Sequence, residues 1–246
     1  MASLRFVRDA KARRMKTSAG VEGISEVAEG YGALPAMRDP APMLPAFHES
    51  MNPDFDADEV DRARAQQYAL LGALLVRAPN AGTLAQLTRL RGTPTPLGLT
   101  HIALAEAAGA VSEAEARSEF FNVFIGVGRG ELMPYASYYL TGFLQDLPLA
   151  RLREDLGRLG LARAEKHYDP EDHIGTLCEI MSGLADGSLG LPAAEAKPFF
   201  ARHLAPWAGR FFTDLEMSKT GKFYRAVGAV GRTFMEIEAE AFALDD

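Results

Sequence analysis

Residues 119–144 read EFFNVFIGVGRGELMPYASYYLTGFL, and the fold class turns on how this stretch is parsed. Phe120, Phe121 and Phe124 are spaced as the end of an amphipathic helix. Gly126, Gly128 and Gly130 then make a tight irregular turn, since glycine accepts positive φ and close backbone approach. Pro134 opens a second short helix, where its missing N–H costs nothing. That helix carries Tyr135, Ser137, Tyr138 and Tyr139. A dinucleotide or P-loop fingerprint needs a strand before its glycines, and the P-loop also needs GK[ST]. Here a helix precedes the turn and that tripeptide does not follow it. The default reading is therefore helix, turn, helix, with binding chemistry concentrated in the loop.

Helical periodicity continues outward in both directions. Residues 57–77 predict a first helix, acid-rich at its start and apolar nearly all round from Tyr68 to Val76. Shorter helices are predicted at 81–90 and 97–108. Ser112 and Glu115 form a capping-box pattern before the central stretch. Pro148 opens a helix with Leu149, Leu152, Leu156 and Leu159 inward. Arg151, Arg153, Glu154, Asp155 and Arg158 are expected on its wet face, with Gly160 as its stop. Asp169-Pro170 is expected to cap and open the next helix, with Ile174, Leu177, Cys178, Met181 and Leu184 as its stripe. Two more helices, 193–203 and 206–217, supply Phe199, Phe200, Trp207, Phe211 and Phe212. A last one runs from 221 to 242. No alternating strand pattern of useful length appears. The expected fold is all-α, a single bundle-like domain of about nine to ten helices over residues 56–246, with short antiparallel connections. Residues 1–55, basic and then rich in proline and glycine, are expected to form a poorly ordered extension.

Composition removes several function classes. The chain has 246 residues, 48% hydrophobic and 24% charged, with a formal charge of −7. That charge argues against general nucleic-acid binding. Cys178 is the single cysteine, which removes a disulfide framework and thiolate metal clusters and fits a reducing cytoplasm. No apolar run reaches the roughly 20 residues of a membrane span. The pair Arg13-Arg14 lacks the apolar stretch of an export signal.

The second unusual segment is Tyr168-Asp169-Pro170-Glu171-Asp172-His173. Capping and dipole chemistry account for Asp169, Pro170, Glu171 and Asp172. They do not account for His173, one turn before Leu177. Asp172 with His173 could serve acid/base chemistry, a metal or a hydrogen-bonded anchor. No HExxH, zinc spacing or second Glu-x-x-His is present, so no metal is expected. His48, His101, His167 and His203 share no spacing and read as structural or surface residues.

At these residues a family resemblance becomes specific. FFNVFIGVGRGELMPYASYYL resembles the pattern of the TorD/DmsD/NarJ-like redox-enzyme maturation chaperones: an aromatic helix, a glycine turn, then Pro134, Tyr135, Ser137 and Tyr139. Ala136 stands where many relatives carry an acid. DPEDHIGTL is similar to the family's Glu-Pro-x-Asp-His hairpin through Pro170, Asp172 and His173, with Asp169 in place of Glu. FFARHLAPWAGRF resembles the Phe-x-x-x-His-Leu-x-x-Trp segment that ends in Trp207, and FYRAVGAV the start of the last helix. The resemblance covers roughly 60–242.

It implies a cytoplasmic chaperone without catalytic residues or a resident cofactor, although weak GTP binding has been suggested for the family. The implied partner is the catalytic subunit of a molybdenum-cofactor oxidoreductase, bound through its N-terminal, often twin-arginine, peptide until the cofactor is inserted. The line from Gly130 to Gly160 looks most like members linked to formate dehydrogenase. The implied peptide contacts are Tyr135, Ser137, Tyr139, Glu171, Asp172 and His173. Gly126, Gly128, Gly130, Pro134, Pro170 and Trp207 carry the structural motif. Monomer and helix-exchanged homodimer both fit. Two other classes stay open: a helical enzyme using Asp172 and His173, and a nucleotide-binding regulator using Gly126 to Gly130. Loss of His173 is expected to weaken peptide binding and to spare stability.

Overall fold

The computed structural model describes residues 6–8, 57–163 and 169–244. Apart from Phe6–Arg8, the expected extension over 1–55 lies outside the described residues. Ten α-helices fill the described body: α1 (Ala57–Val76), α2 (Ala81–Leu87), α3 (Pro96–Gly109), α4 (Glu113–Phe120), α5 (Ala136–Thr141), α6 (Leu147–Leu159), α7 (Ile174–Ala185), α8 (Ala196–His203), α9 (Ala208–Glu216) and α10 (Lys222–Leu244). The fold is all-α. A wide helical turn, Phe121–Ile125, extends α4.

Local chemistry sets most boundaries. Ser112 and Glu115 close the capping box in both directions. Asn80 and Thr95 cap α2 and α3 through their side chains, and Gly160 ends α6 in the left-handed conformation. The core forms around α1 packed on α7, with α10 laid across α9, α3, α4 and α1. Tyr68, Leu70, Leu71, Leu74 and Leu75 of α1 are buried, as are Leu177, Cys178, Met181 and Leu184 of α7. The two helices approach closely at Gly72 and Gly175. A Cβ on Gly175 would stand 2.7 Å from Val76 Cγ2. An aromatic layer of Tyr139, Trp207, Phe211 and Phe212 joins α5 to α9.

Three expectations need correction. Asp155 is buried, not wet: it lies three residues after Leu152 and four before Leu159, on the inward face of α6. The helix expected to open at Asp169-Pro170 begins only at Ile174. The segment before it is committed to a pairing with residues 134–136, described below. The third concerns strands, which the sequence pattern did not show. β1 (Phe6–Arg8) pairs antiparallel with β2 (Leu161–Arg163), Phe6 opposite Arg163 and Arg8 opposite Leu161. Three residues are too few to display an alternation.

Candidate functional site

The two segments singled out in the sequence lie against each other. Tyr135 and His173 form an isolated antiparallel bridge. Ala136 N–H donates to Asp172 O at 3.0 Å, and Ile174 N–H donates to Pro134 O at 2.9 Å. Asp172 Oδ2 accepts the Ser137 N–H at 2.8 Å. The Asp172 side chain thereby satisfies one of the N–H groups that the first turn of α5 leaves without a partner in the helix. These bonds clasp the start of α5 to the start of α7 and use the backbone that a longer α7 would have needed.

His173 is the N-cap of α7. Its ring Nδ1 accepts the Gly175 N–H at 3.0 Å, and the ring stands edge-on to Tyr135 at 5.2 Å. The Asp169 cap is thereby replaced by a histidine cap three residues inside the expected helix. Glu171 is buried and paired to Arg153 Nη2 of α6 at 2.8 Å. Ser137 is fully buried, and its Oγ accepts the Gln145 N–H at 3.2 Å. The Tyr139 hydroxyl donates to Asp214 Oδ2 at 3.0 Å, and its ring packs on Trp207. Burial, together with Asp214, pushes the Tyr139 hydroxyl well above the usual phenol range, so it stays a donor. Of the expected peptide contacts, Tyr135 and Tyr139 are partly exposed, while Ser137, Glu171, Asp172 and His173 lie beneath the surface. Pro134 and Pro170 are the hinge points of the clasp. Their carbonyls accept from Ile174 and His173.

A cleft opens over this clasp. It is lined by Ala136 and Leu140 of α5, Pro148, Arg151 and Leu152 of α6, Asp172 and Leu177, and Arg202 and His203 of α8. Asp172 is 0% exposed, and its Oδ1 has no hydrogen-bond partner among the described residues. A buried acceptor left open costs roughly 1–3 kcal/mol, so the site carries an unmet demand for a donor. Between Leu140 and Pro148 the chain exposes Phe143 (71%), Leu144 and Leu147 (61%) in a short run of sequence. Asp172, with its unpartnered oxygen, thus lines the cleft beside Leu140 and Pro148, the two residues that bracket this exposed apolar run in sequence.

The far wall was missed in the sequence. Asp155 accepts from Arg202 Nη1 at 2.6 Å and pairs with His203 Nε2 at 2.8 Å, and Trp207 Nε1–H donates to His203 O at 2.7 Å. Burial alone would raise the Asp155 carboxyl, but hydrogen bonds from Arg202 and His203 outweigh it and hold the group below its ordinary range. Burial pushes the His203 imidazole down against the pull of Asp155. The available signal was the inward register of Asp155 on α6. Arg202 is thus neutralised, while Arg151 stands exposed at the rim, where water screens it.

The glycine turn lies apart from these bonds. Gly126 has φ +63°, and a Cβ there would meet Arg129 O at 2.0 Å, so no other residue closes the turn. Next to it, Glu131 reaches the loop before α10. Its carboxylate accepts from Ser218 Oγ at 2.9 Å, Lys219 N–H at 2.7 Å and Thr220 Oγ1 at 2.6 Å. Among the described residues no cluster of three or more His, Cys, Asp or Glu could hold a metal ion, and no helix is long and apolar enough to cross a membrane.

Residues 91–213 match the family model described as the nitrate reductase delta subunit. That is half of the 246 residues, and the chain belongs to this family. Among curated proteins it is similar to the chaperone protein TorD of Shewanella loihica, 24% identical over 212 residues, covering 77% of this chain and 97% of that one. It is also similar to TorD of Aliivibrio fischeri, 27% identical over 143 residues (54% of this chain and 66% of that one). The chaperone protein YcdY of Escherichia coli is 31% identical over 99 residues, 40% of this chain and 50% of its own. The chain spans just under two thirds of the length of the first TorD relatives it matches. The crystal structure of a candidate redox enzyme maturation protein from Archaeoglobus fulgidus shares the fold. Its TM-score is 0.50 at 18% identity, covering 78% of this chain and 97% of that one. These relatives are named for chaperoning or maturation rather than for catalysis.

Proposed function

We propose that this chain is a cytoplasmic chaperone that holds the N-terminal peptide of a molybdenum-cofactor oxidoreductase while the cofactor is inserted. Formate dehydrogenase is the client class its sequence favours. The observation that carries this reading is Asp172. Its buried carboxylate spends one oxygen on the α5–α7 clasp and leaves the other without a partner, in a residue that lines a cleft together with Leu140 and Pro148. Guanidinium groups of a twin-arginine peptide are charge-assisted donors suited to such an oxygen. The apolar segment that follows them suits Leu140, Phe143, Leu144 and Leu147. The chain's charge of −7 favours approach of a cationic peptide.

On this reading Tyr135 and Tyr139 border the peptide, whereas Ser137, Glu171 and His173 hold Asp172 in place. No resident cofactor and no catalytic residue take part. The test is peptide binding by calorimetry in Asp172→Asn. The amide can keep its oxygen on Ser137 N–H and turn its NH₂ toward the cleft, so the fold is retained while the open acceptor becomes a donor. Expected is a loss of at least tenfold in affinity, about 1.4 kcal/mol, with an unchanged melting temperature. Undiminished binding would remove Asp172 from the site. Pull-down from the host under cofactor-limited growth then names the client. Absence of any molybdenum oxidoreductase subunit there would defeat the chaperone reading.

A further inference from the structure

The strand pair deserves a function of its own. β2 follows directly on the Gly160 cap of α6, and its Leu161 is buried in the core, so one side of the strand is fixed to the body. Its backbone edge is taken by Phe6–Arg8, the single strand partner it has among the described residues. A two-stranded sheet of three residues a side is marginal in water. It persists because the partner is tethered in the same chain, which keeps its effective concentration high. Ladder hydrogen bonds do not read side chains, so an edge of this kind accepts any extended peptide, and the flanking chemistry selects which. The segment that fills it is Phe6-Val7-Arg8, and the sequence around it is basic, with Arg5, Arg8, Lys11, Arg13, Arg14 and Lys16, in a chain that is acidic overall. That is the same chemistry, cationic with apolar residues between, that the cleft is suited to receive.

Distance along the chain agrees. Arg151 lines the cleft near the start of α6, and β2 begins just past its end. At 1.5 Å per residue the two are about 15 Å apart along the helix axis, which an extended peptide spans with roughly five residues. We propose that the Leu161–Arg163 edge is a strand-docking slot, that Phe6–Arg8 fills it in cis, and that the extended cationic part of a client's N-terminal peptide displaces Phe6–Arg8 as it docks at the cleft. The displacement rests on the client-peptide reading above; the slot itself does not.

The experiment uses the full chain carrying Phe6→Pro together with Val7→Pro, which removes at least one ladder donor of β1 whichever of its residues hydrogen-bond to β2 and breaks a pair only three residues long. Amide hydrogen exchange of Leu161–Arg163 is measured with and without a twin-arginine peptide, alongside the peptide's affinity. Expected is fast exchange in the variant, protection restored by peptide, and affinity higher than in the unmodified chain. The gain is roughly tenfold if the native slot is free a tenth of the time. Equal affinity in the two proteins, with no peptide-induced protection at 161–163, overturns the slot while leaving cleft binding intact. If the peptide binds neither protein, the client reading fails instead. The slot is then decided by adding a synthetic peptide of residues 1–12 to the variant: recovered protection supports it and continued fast exchange overturns it.

Discussion

His173 illustrates how one side chain can belong to stability and to the site at once. Its ring nitrogen accepts the Gly175 N–H, and its backbone bridges Tyr135. His173→Ala is therefore expected to destabilise the fold by about 1 kcal/mol, the typical cost of a lost N-cap. This reverses the expectation that its loss would spare stability. His173→Asn, which caps through a side-chain oxygen, should recover most of that loss in urea unfolding. If Ala and Asn are equally destabilising, the ring's contact with Tyr135 matters rather than the cap. Sequence chemistry pointed at Asp172 and His173, because an Asp-His pair beside an apolar stripe exceeds what capping requires. It could not assign their roles. Asp172 meets Ser137 across 35 positions of sequence, and a one-dimensional pattern holds no register between two such segments. Asp155 was misplaced for a related reason. A charged residue reads as wet until its partners, Arg202 and His203, are known to lie opposite.

At the scale of elements, helix positions were readable because local signals fix them: the Ser112–Glu115 box, the Gly160 stop, and prolines at first turns. The start of α7 was not, since tertiary pairing with Pro134 and Ala136 overrides the Asp169-Pro170 capping signal. Glycines within helices divide by what faces them, which periodicity alone does not reveal. In α10 a Cβ on Gly231 would stand 2.1 Å from Phe212 Cδ1, and one on Gly228 would stand 2.3 Å from Glu216 N. These two glycines let α9 and α10 touch. Gly157 on α6 has nothing within 4 Å. Gly231→Ala is accordingly expected to destabilise by about 1–3 kcal/mol through overpacking. Gly157→Ala should stabilise by about 0.5–1 kcal/mol through helix propensity. Thermal unfolding of both variants checks the pair. A neutral Gly231→Ala would mean that α9 shifts freely over α10.

For the molecule as a whole, several long-range ties are made by carboxylates, and their titration shapes its response to acid. Glu131 joins the glycine turn to the loop before α10, and Asp155 joins α6 to α8. Burial would raise Glu131, but its hydrogen bonds from Thr220, Lys219 and Ser218 outweigh burial and hold it below the ordinary range, as Arg202 and His203 do for Asp155. A carboxylate depressed in the folded state contributes stability that is fully present above its unfolded value. That contribution is lost as pH falls through the folded one. His203, pushed down by burial, has the same sign from a higher starting point, because protonation favours the unfolded chain. Glu238 opposes them. Burial raises its carboxyl against the pull of Arg64, so the folded state takes up its proton first and gains stability as pH falls. His101, lowered by burial, and Glu115 and Asp146, lowered by their capping hydrogen bonds, act in the same direction as these three, so stability is predicted to decline on acidification, first through the imidazole range and then below about pH 4. Urea unfolding between pH 7 and pH 3 measures this directly. Glu131→Gln, which keeps the shape and cannot ionise, should be less stable than the unmodified chain at pH 7. The two should converge toward pH 3, as the native carboxylate is protonated and loses its advantage. Curves that stay parallel across the range would mean that Glu131 holds the turn by shape alone, and the acid response would then belong to the Asp155–His203 wall of the cleft.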